Sequence, residues 1–233
     1  MTPARPLGPA AVRENPMTKQ EAVAFHDRYK ITAIARRIPS DRIADAAAAL
    51  YEGGIRLLEI TFDQADPAHL TKTPAAIRAV RERMGDRMLI GAGTVLTTVQ
   101  ARAAADAGAS FMLAPNTDPE VIRCANDLGL VTFPGAMTPT EIAAAYNAGA
   151  DYVKVFPAGA LGVDYIKAIL GPISHVPMTA VGGITLNNMN AFLAAGMKGV
   201  GIGSNLVSRK LIEDGDYEGL TALAAGYASQ LEH

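Results

Sequence analysis

The sequence predicts an α/β fold: one domain in which eight parallel strands, each followed by a helix, close into a (β/α)8 barrel behind a single N-terminal helix. Three observations carry the prediction. The 233 residues suit one such barrel, a fold that commonly takes about 250 residues. From Lys30 onward, short β-branched or apolar runs alternate with Ala-rich stretches of helical length, the pattern of a parallel sheet covered by helices. Eight such runs occur, and no long crossover of the kind that marks an open doubly wound sheet separates them.

The runs are Ile31 to Arg36, Arg56 to Phe62, Met88 to Thr94, Phe111 to Pro115, Val131 to Ala136, Tyr152 to Pro157, Met178 to Gly183 and Gly199 to Ser204. Most follow a small-residue stop, as at Gly53-Gly54, Gly108-Ala109, Gly129, Gly149-Ala150 and Gly196, where glycine ends a helix in a left-handed conformation. Helix starts are equally marked: Thr138-Pro139-Thr140-Glu141 joins a cap, a first-turn proline and an acid. Residues 1–16, rich in proline and lacking a hydrophobic core, read as a flexible leader or extension, with Met17 as a natural start ahead of an amphipathic run. The barrel is expected over residues 17–230, and Leu231-Glu232-His233 reads as an expression-tag scar.

A 49% hydrophobic composition provides ample surface to bury, and the net charge of -2 offers no basic face to a nucleic acid or an anionic membrane. No apolar run reaches the roughly 18 residues needed to span a bilayer, and the leader is unlike a secretory signal, so a cytoplasmic location is expected. The single cysteine, Cys124, has no internal disulfide partner and reads as a buried thiol on a helix. His26, His69, His175 and His233 share no metal-ligand spacing, so no catalytic metal is expected. The implied partner is a small molecule.

Two charges stand alone on apolar strands. Lys154, in Tyr152-Val153-Lys154-Val155-Phe156-Pro157, becomes a neutral, nucleophilic amine able to attack a keto group if it enters the barrel, where desolvation disfavours its charge; the alternative is a lysine snorkelling from a strand end. Glu59, in Leu57-Leu58-Glu59-Ile60-Thr61-Phe62, suits a general acid and base serving that lysine, or else a buried partner of an arginine such as Arg36. At the carboxyl ends of the strands, Arg36 and Thr94 suit recognition of a carboxylate, with Arg37 the less favoured neighbour because strand alternation turns it elsewhere. Gly182-Gly183 after the seventh run and Gly203-Ser204 after the eighth occupy the two loops that often hold phosphate in such barrels. Asp63 and Gln64 either touch a substrate or merely solvate the rim.

Together, Leu58-Glu59-Ile60-Thr61, Gly91-Ala92-Gly93-Thr94-Val95-Leu96, Ala114-Pro115-Asn116, Pro134-Gly135, Val153-Lys154-Val155-Phe156-Pro157, Val181-Gly182-Gly183 and Gly201-Ile202-Gly203-Ser204 resemble, in order and spacing, the Schiff-base aldolases of 2-keto-3-deoxy-6-phosphogluconate, its galactonate isomer and 4-hydroxy-2-oxoglutarate. The resemblance covers about residues 18 to 225. It implies a TIM-barrel lyase, a homotrimer without a cofactor, that cleaves a keto acid to pyruvate and an aldehyde; the alternatives are a phosphate-binding barrel epimerase or isomerase, which needs no imine, and a non-catalytic barrel that binds a sugar acid. It also implies Lys154 as the Schiff-base residue, Glu59 as general acid/base, Arg36 and Thr94 near the pyruvoyl carboxylate, and Gly182, Gly183 and Ser204 near phosphate. Phe156 would line the pocket beside the lysine, and Pro115 would shape its wall. Two positions depart from the gluconate-type pattern. Asp63 stands where many such members have arginine, so carboxylate binding must rest on other groups, and Ala180-Val181-Gly182-Gly183 lacks their usual threonine and looks more like the galactonate branch.

Overall fold

A computed structural model describes residues 17–231, so the sixteen-residue leader and residues 232–233 lie outside the described residues. The strands are β1 (Ile31–Ala35), β2 (Leu57–Thr61), β3 (Leu89–Gly93), β4 (Phe111–Leu113), β5 (Val131–Phe133), β6 (Gly135–Ala136), β7 (Val153–Val155), β8 (Met178–Val181) and β9 (Gly199–Ile202). All neighbours pair in parallel, in the order β5-β4-β3-β2-β1-β9-β8-β7-β6. The predicted fifth strand is therefore two short ones. Pro134, which has no N–H to donate to a ladder, divides them, and β5 pairs with β4 while β6 pairs with β7. The Lys154 N–H bonds the Pro134 carbonyl at 2.9 Å and the Tyr152 N–H bonds that of Thr132 at 3.1 Å. One continuous segment thus joins the two ends of the sheet, and the barrel closes.

The helices between strands are α2 (Ile43–Glu52), α3 (His69–Met84), α4 (Thr98–Asp106), α5 (Pro119–Asp127), α6 (Pro139–Asn147), α7 (Ala158–Leu170) and α8 (Met189–Ala194). α9 (Arg209–Asp214) and α10 (Tyr217–Ala228) follow the last strand. Their starts obey local chemistry: Thr138 accepts from the Glu141 N–H while the Glu141 carboxylate accepts from the Thr138 N–H, with Pro139 in the first turn. Cys124 lies buried on α5 as a packed thiol. Among the described residues, no helix is long and apolar enough to cross a membrane.

Alternation along the strands sorts side chains into two cores. Leu58, Ile60, Ile90, Ala92, Met112, Val153 and Val155 join the helices in the larger, outer core. Leu57, Leu89, Phe111, Leu113, Val131, Phe133 and Tyr152 fill the barrel interior together with Ala22 of the N-terminal helix α1 (Lys19–Tyr29). That helix plugs the amino end of the barrel. Its His26, 1% exposed, packs its ring 5.0 Å from Phe133 and 4.5 Å from Tyr152, and its Asp27 accepts from the Tyr152 hydroxyl at 2.6 Å. With one end stoppered, the carboxyl end is the side left for a ligand.

Candidate active site

The alternation that carries Leu57 and Tyr152 inward also carries Glu59 and Lys154, each two residues further along its strand, inward one layer nearer the carboxyl end. Lys154 is 5% exposed and Glu59 1%. Neither charge is tolerated cheaply there. Burial lowers the Lys154 pKa, with the Arg36 charge acting in the same direction and Glu59 partly opposing it. Burial raises the Glu59 pKa, against the pull of Lys154 and Arg36. The two groups sense each other, and Glu59 Oε2 is buried with no hydrogen-bond partner among the described residues. A buried amine biased toward its neutral form beside a carboxyl biased toward its protonated form is an arrangement suited to nucleophilic attack with proton transfer.

Neighbouring residues make room for this pair. A Cβ on Gly93 would lie 1.7 Å from Glu59 Oε1, so the second glycine of Gly91-Ala92-Gly93 is required by the carboxyl group. On the other side Lys154 Nζ lies 5.0 Å from the centre of the Phe156 ring. A Cβ on Gly182 would come within 2.9 Å of that ring, and Gly182 and Gly183 have φ of +87° and +76°, values that favour glycine.

Two adjoining cavities open at the carboxyl end. The first, about 360 Å³, is lined by Lys154, Phe156, Arg36, Gly182, Gly183 and Ser204, together with Arg37, Asn205 and Arg209. The second, about 400 Å³, shares Arg36 and Arg37 and adds Thr61, Asp63, Gln64 and Thr94. Eight of the nine residues singled out in the sequence thus meet here, Glu59 by its coupling to Lys154 and the others by lining a cavity. Pro115 does not line either: it is exposed, and its backbone packs where a Cβ on Gly135 would fall, at 2.4 Å.

Arg37 is the main surprise. Strand alternation would turn it away, yet it borders both cavities. β1 ends at Ala35 and Arg37 adopts a φ of 55°, so alternation no longer governs its direction. Its guanidinium grips Asp63 with two hydrogen bonds, of 3.0 and 3.4 Å. The acid at the position where many gluconate-type members carry arginine therefore holds an arginine from the neighbouring loop. Arg209, at the start of α9, also escaped the sequence reading, because a charged residue in the first turn of a surface helix carries no distinguishing pattern. Among the described residues, no three His, Cys, Asp or Glu side chains gather in a way that could hold a metal ion.

Comparison with known proteins agrees with this fold. A family model described as KDPG and KHG aldolase matches residues 25–223. A probable 2-dehydro-3-deoxy-6-phosphogalactonate aldolase of Rhizobium meliloti is 38% identical over 177 residues, 76% of this chain and 81% of the relative. A 2-dehydro-3-deoxy-phosphogluconate aldolase of Treponema pallidum is 38% identical over 188 residues, 79% of this chain and 86% of the relative. Among solved structures, the KDPG aldolase of Legionella pneumophila, with pyruvate captured at low pH as a covalent carbinolamine intermediate, superimposes with a TM-score of 0.79 at 27% identity, covering 88% of this chain and 97% of the other.

Proposed function

The chain belongs to the KDPG and KHG aldolase family and is a carbon–carbon lyase, and on that premise we propose that it cleaves a 2-keto-3-deoxy-6-phospho sugar acid to pyruvate and a phosphorylated three-carbon aldehyde through a Schiff base on Lys154. The observation that carries the reading is the buried pair inside the barrel, a lysine whose pKa is lowered and a glutamate whose pKa is raised. The carbinolamine in the Legionella pneumophila relative supports the same chemistry.

The neutral Lys154 amine adds to the C2 carbonyl, and the carbinolamine loses water to give a protonated imine. A base removes the C4 hydroxyl proton, the C4 oxygen becomes the aldehyde carbonyl, and the C3–C4 bonding pair flows into the imine to leave an enamine. Protonation at C3 makes the methyl group of pyruvate, and water then hydrolyses the imine and frees the lysine. Glu59 is the proton carrier for dehydration, for the C3 step and for hydrolysis. Its raised pKa suits this work, since it must hold a proton at one stage and accept one at another.

Arg36, which borders both cavities, and Thr94 of the second take the carboxylate, and Gly182, Gly183 and Ser204 of the first take the phosphate. Phe156 packs beside the imine, while Pro115 acts through the rim it forms with Gly135. The galactonate stereochemistry is preferred, in keeping with Val181 before the glycine pair and with the Rhizobium meliloti relative. A homotrimer is the accompanying expectation drawn from the family resemblance, and a cytoplasmic location the one drawn from the sequence itself.

Pyruvate release measured from the phosphorylated gluconate and galactonate substrates, and from their unphosphorylated counterparts, tests the assignment. A higher kcat/KM for the phosphorylated galactonate acid is expected. Equal rates on the unphosphorylated acids would remove the phosphate role, and no pyruvate from any of the four would overturn the reading.

A further inference from the structure

A second feature of the site lies outside the reacting groups. Thr94 has a φ of 57°, a backbone conformation unusual for any residue but glycine and most unfavourable for a β-branched one. Its carbonyl accepts a 2.8 Å hydrogen bond from Gln64 Nε2. Gln64 Oε1 in turn accepts from Gln100 Nε2 at 2.9 Å. Gln100 is 2% exposed and lines neither cavity. Its Oε1 accepts from the Leu96 N–H at 2.7 Å, and its Nε2 also lies 3.2 Å from His69 Nδ1.

These bonds leave no freedom in either amide. Leu96 requires an acceptor, which turns the Gln100 amino group toward Gln64 and His69. Gln64 must then present its oxygen to Gln100 and its amino group to Thr94. Turning over either amide would set donor against donor or acceptor against acceptor. A chain of hydrogen bonds therefore runs from the buried side of α4 and from α3, across the loop after β2, to the backbone carbonyl of the strained Thr94.

We propose that Gln64 and Gln100 are positioning residues that hold Thr94 in its left-handed conformation, and so fix the carboxylate-binding wall of the site for the keto-acid end of the substrate. The proposal rests on the assignment of Thr94 to the carboxylate. It separates two roles that the sequence leaves merged: Thr94 touches the ligand, and the glutamine pair sets where Thr94 stands. The residues that touch the reacting atoms are left alone, so losing the chain of bonds weakens pyruvate binding without slowing the chemistry of bound pyruvate.

The experiment is borohydride trapping over a range of pyruvate concentrations, read by intact mass, on the unmodified chain, Gln64→Met, Gln100→Met and the double variant. Methionine keeps the length of glutamine and adds no charge. Each single variant is expected to need about three- to tenfold more pyruvate for half-maximal trapping, the effect on binding of losing the hold on the Thr94 carbonyl, comparable to one hydrogen bond, with the rate at saturating pyruvate unchanged. The double variant is expected to match the single ones, because the two residues act in series. Should Gln100→Met fail to fold, Gln100→Glu, which keeps an acceptor for Leu96, replaces it. Half-saturation unchanged in the variants would overturn the proposal. So would additive effects, which would mean that Gln64 contacts pyruvate independently of Gln100. The absence of any adduct on the unmodified chain would instead overturn the Schiff-base assignment, so the two failures are distinguishable.

Discussion

Replacing Gly93 with alanine probes the geometry of the catalytic pair without removing any ionisable group. The new Cβ would stand 1.7 Å from Glu59 Oε1 and 2.4 Å from its carboxyl carbon. Side chains essentially never approach a Cβ closer than 3.0 Å, so the carboxyl oxygen has to move by more than about 1.3 Å, the difference between the two distances. Glu59 is enclosed on every side, and Gly93 is held in the sheet by its pairing with Thr61 and by the 2.8 Å bond from the Phe62 N–H to its carbonyl. The strand has little room to yield, so the displacement falls on the side chain. A misplacement of about 1 Å in a catalytic group costs on the order of 100-fold in rate, and inserting a methyl group into a packed interior costs about 1–3 kcal/mol. Gly93→Ala is therefore expected to fold, to melt a few degrees lower, and to lose about 100-fold in kcat with a smaller change in KM. Steady-state pyruvate release beside a thermal melt measures both. Full kcat in a folded Gly93→Ala would refute the claim that Glu59 works from its observed position.

Two further predictions concern the buried groups. Lys154 must be neutral to attack, and burial and Arg36 lower its pKa while Glu59 raises it; the rate of trapping at low pyruvate should thus fall as pH drops through a midpoint below the ordinary lysine value of 10.5. Arg36→Met should move that midpoint to higher pH and Glu59→Gln to lower pH, as read from pH–rate profiles, and shifts in the opposite senses would contradict the electrostatic account. At the other end of the barrel, Tyr152→Phe removes the 2.6 Å bond to Asp27. Because that bond reaches a carboxylate, the loss should cost about 1.5–3 kcal/mol in denaturant unfolding while leaving kcat unchanged.

Much of this site was legible in the sequence because a charge in an apolar strand has few explanations. Glu59 and Lys154 announced themselves by isolation, although the strand pattern left open a lysine snorkelling from a strand end, and it is the structure that buries both. The Gly182-Gly183 and Gly203-Ser204 loops followed from the strand count. What escaped depended on backbone geometry rather than on composition. Pro134 splits one apparent strand into two because it cannot donate to the ladder, yet the run Val131 to Ala136 reads as continuous. Arg37 reaches the site through a left-handed turn that a strand pattern does not encode. Gln100 looks like any polar residue at the start of a helix; its partners, Gln64 and His69, stand 36 and 31 positions away. The packing of His26 between Phe133 and Tyr152 is hidden for the same reason, since an amphipathic N-terminal helix does not say which end of a barrel it covers.

The most direct test of the central claim is the intact mass of the chain after incubation with pyruvate and borohydride, compared with Lys154→Ala of verified fold. The account predicts one pyruvate-sized adduct on the unmodified chain, mapped to Lys154, and none on the variant. An unmodified chain that gains no mass, or a variant that gains the same mass, would contradict it.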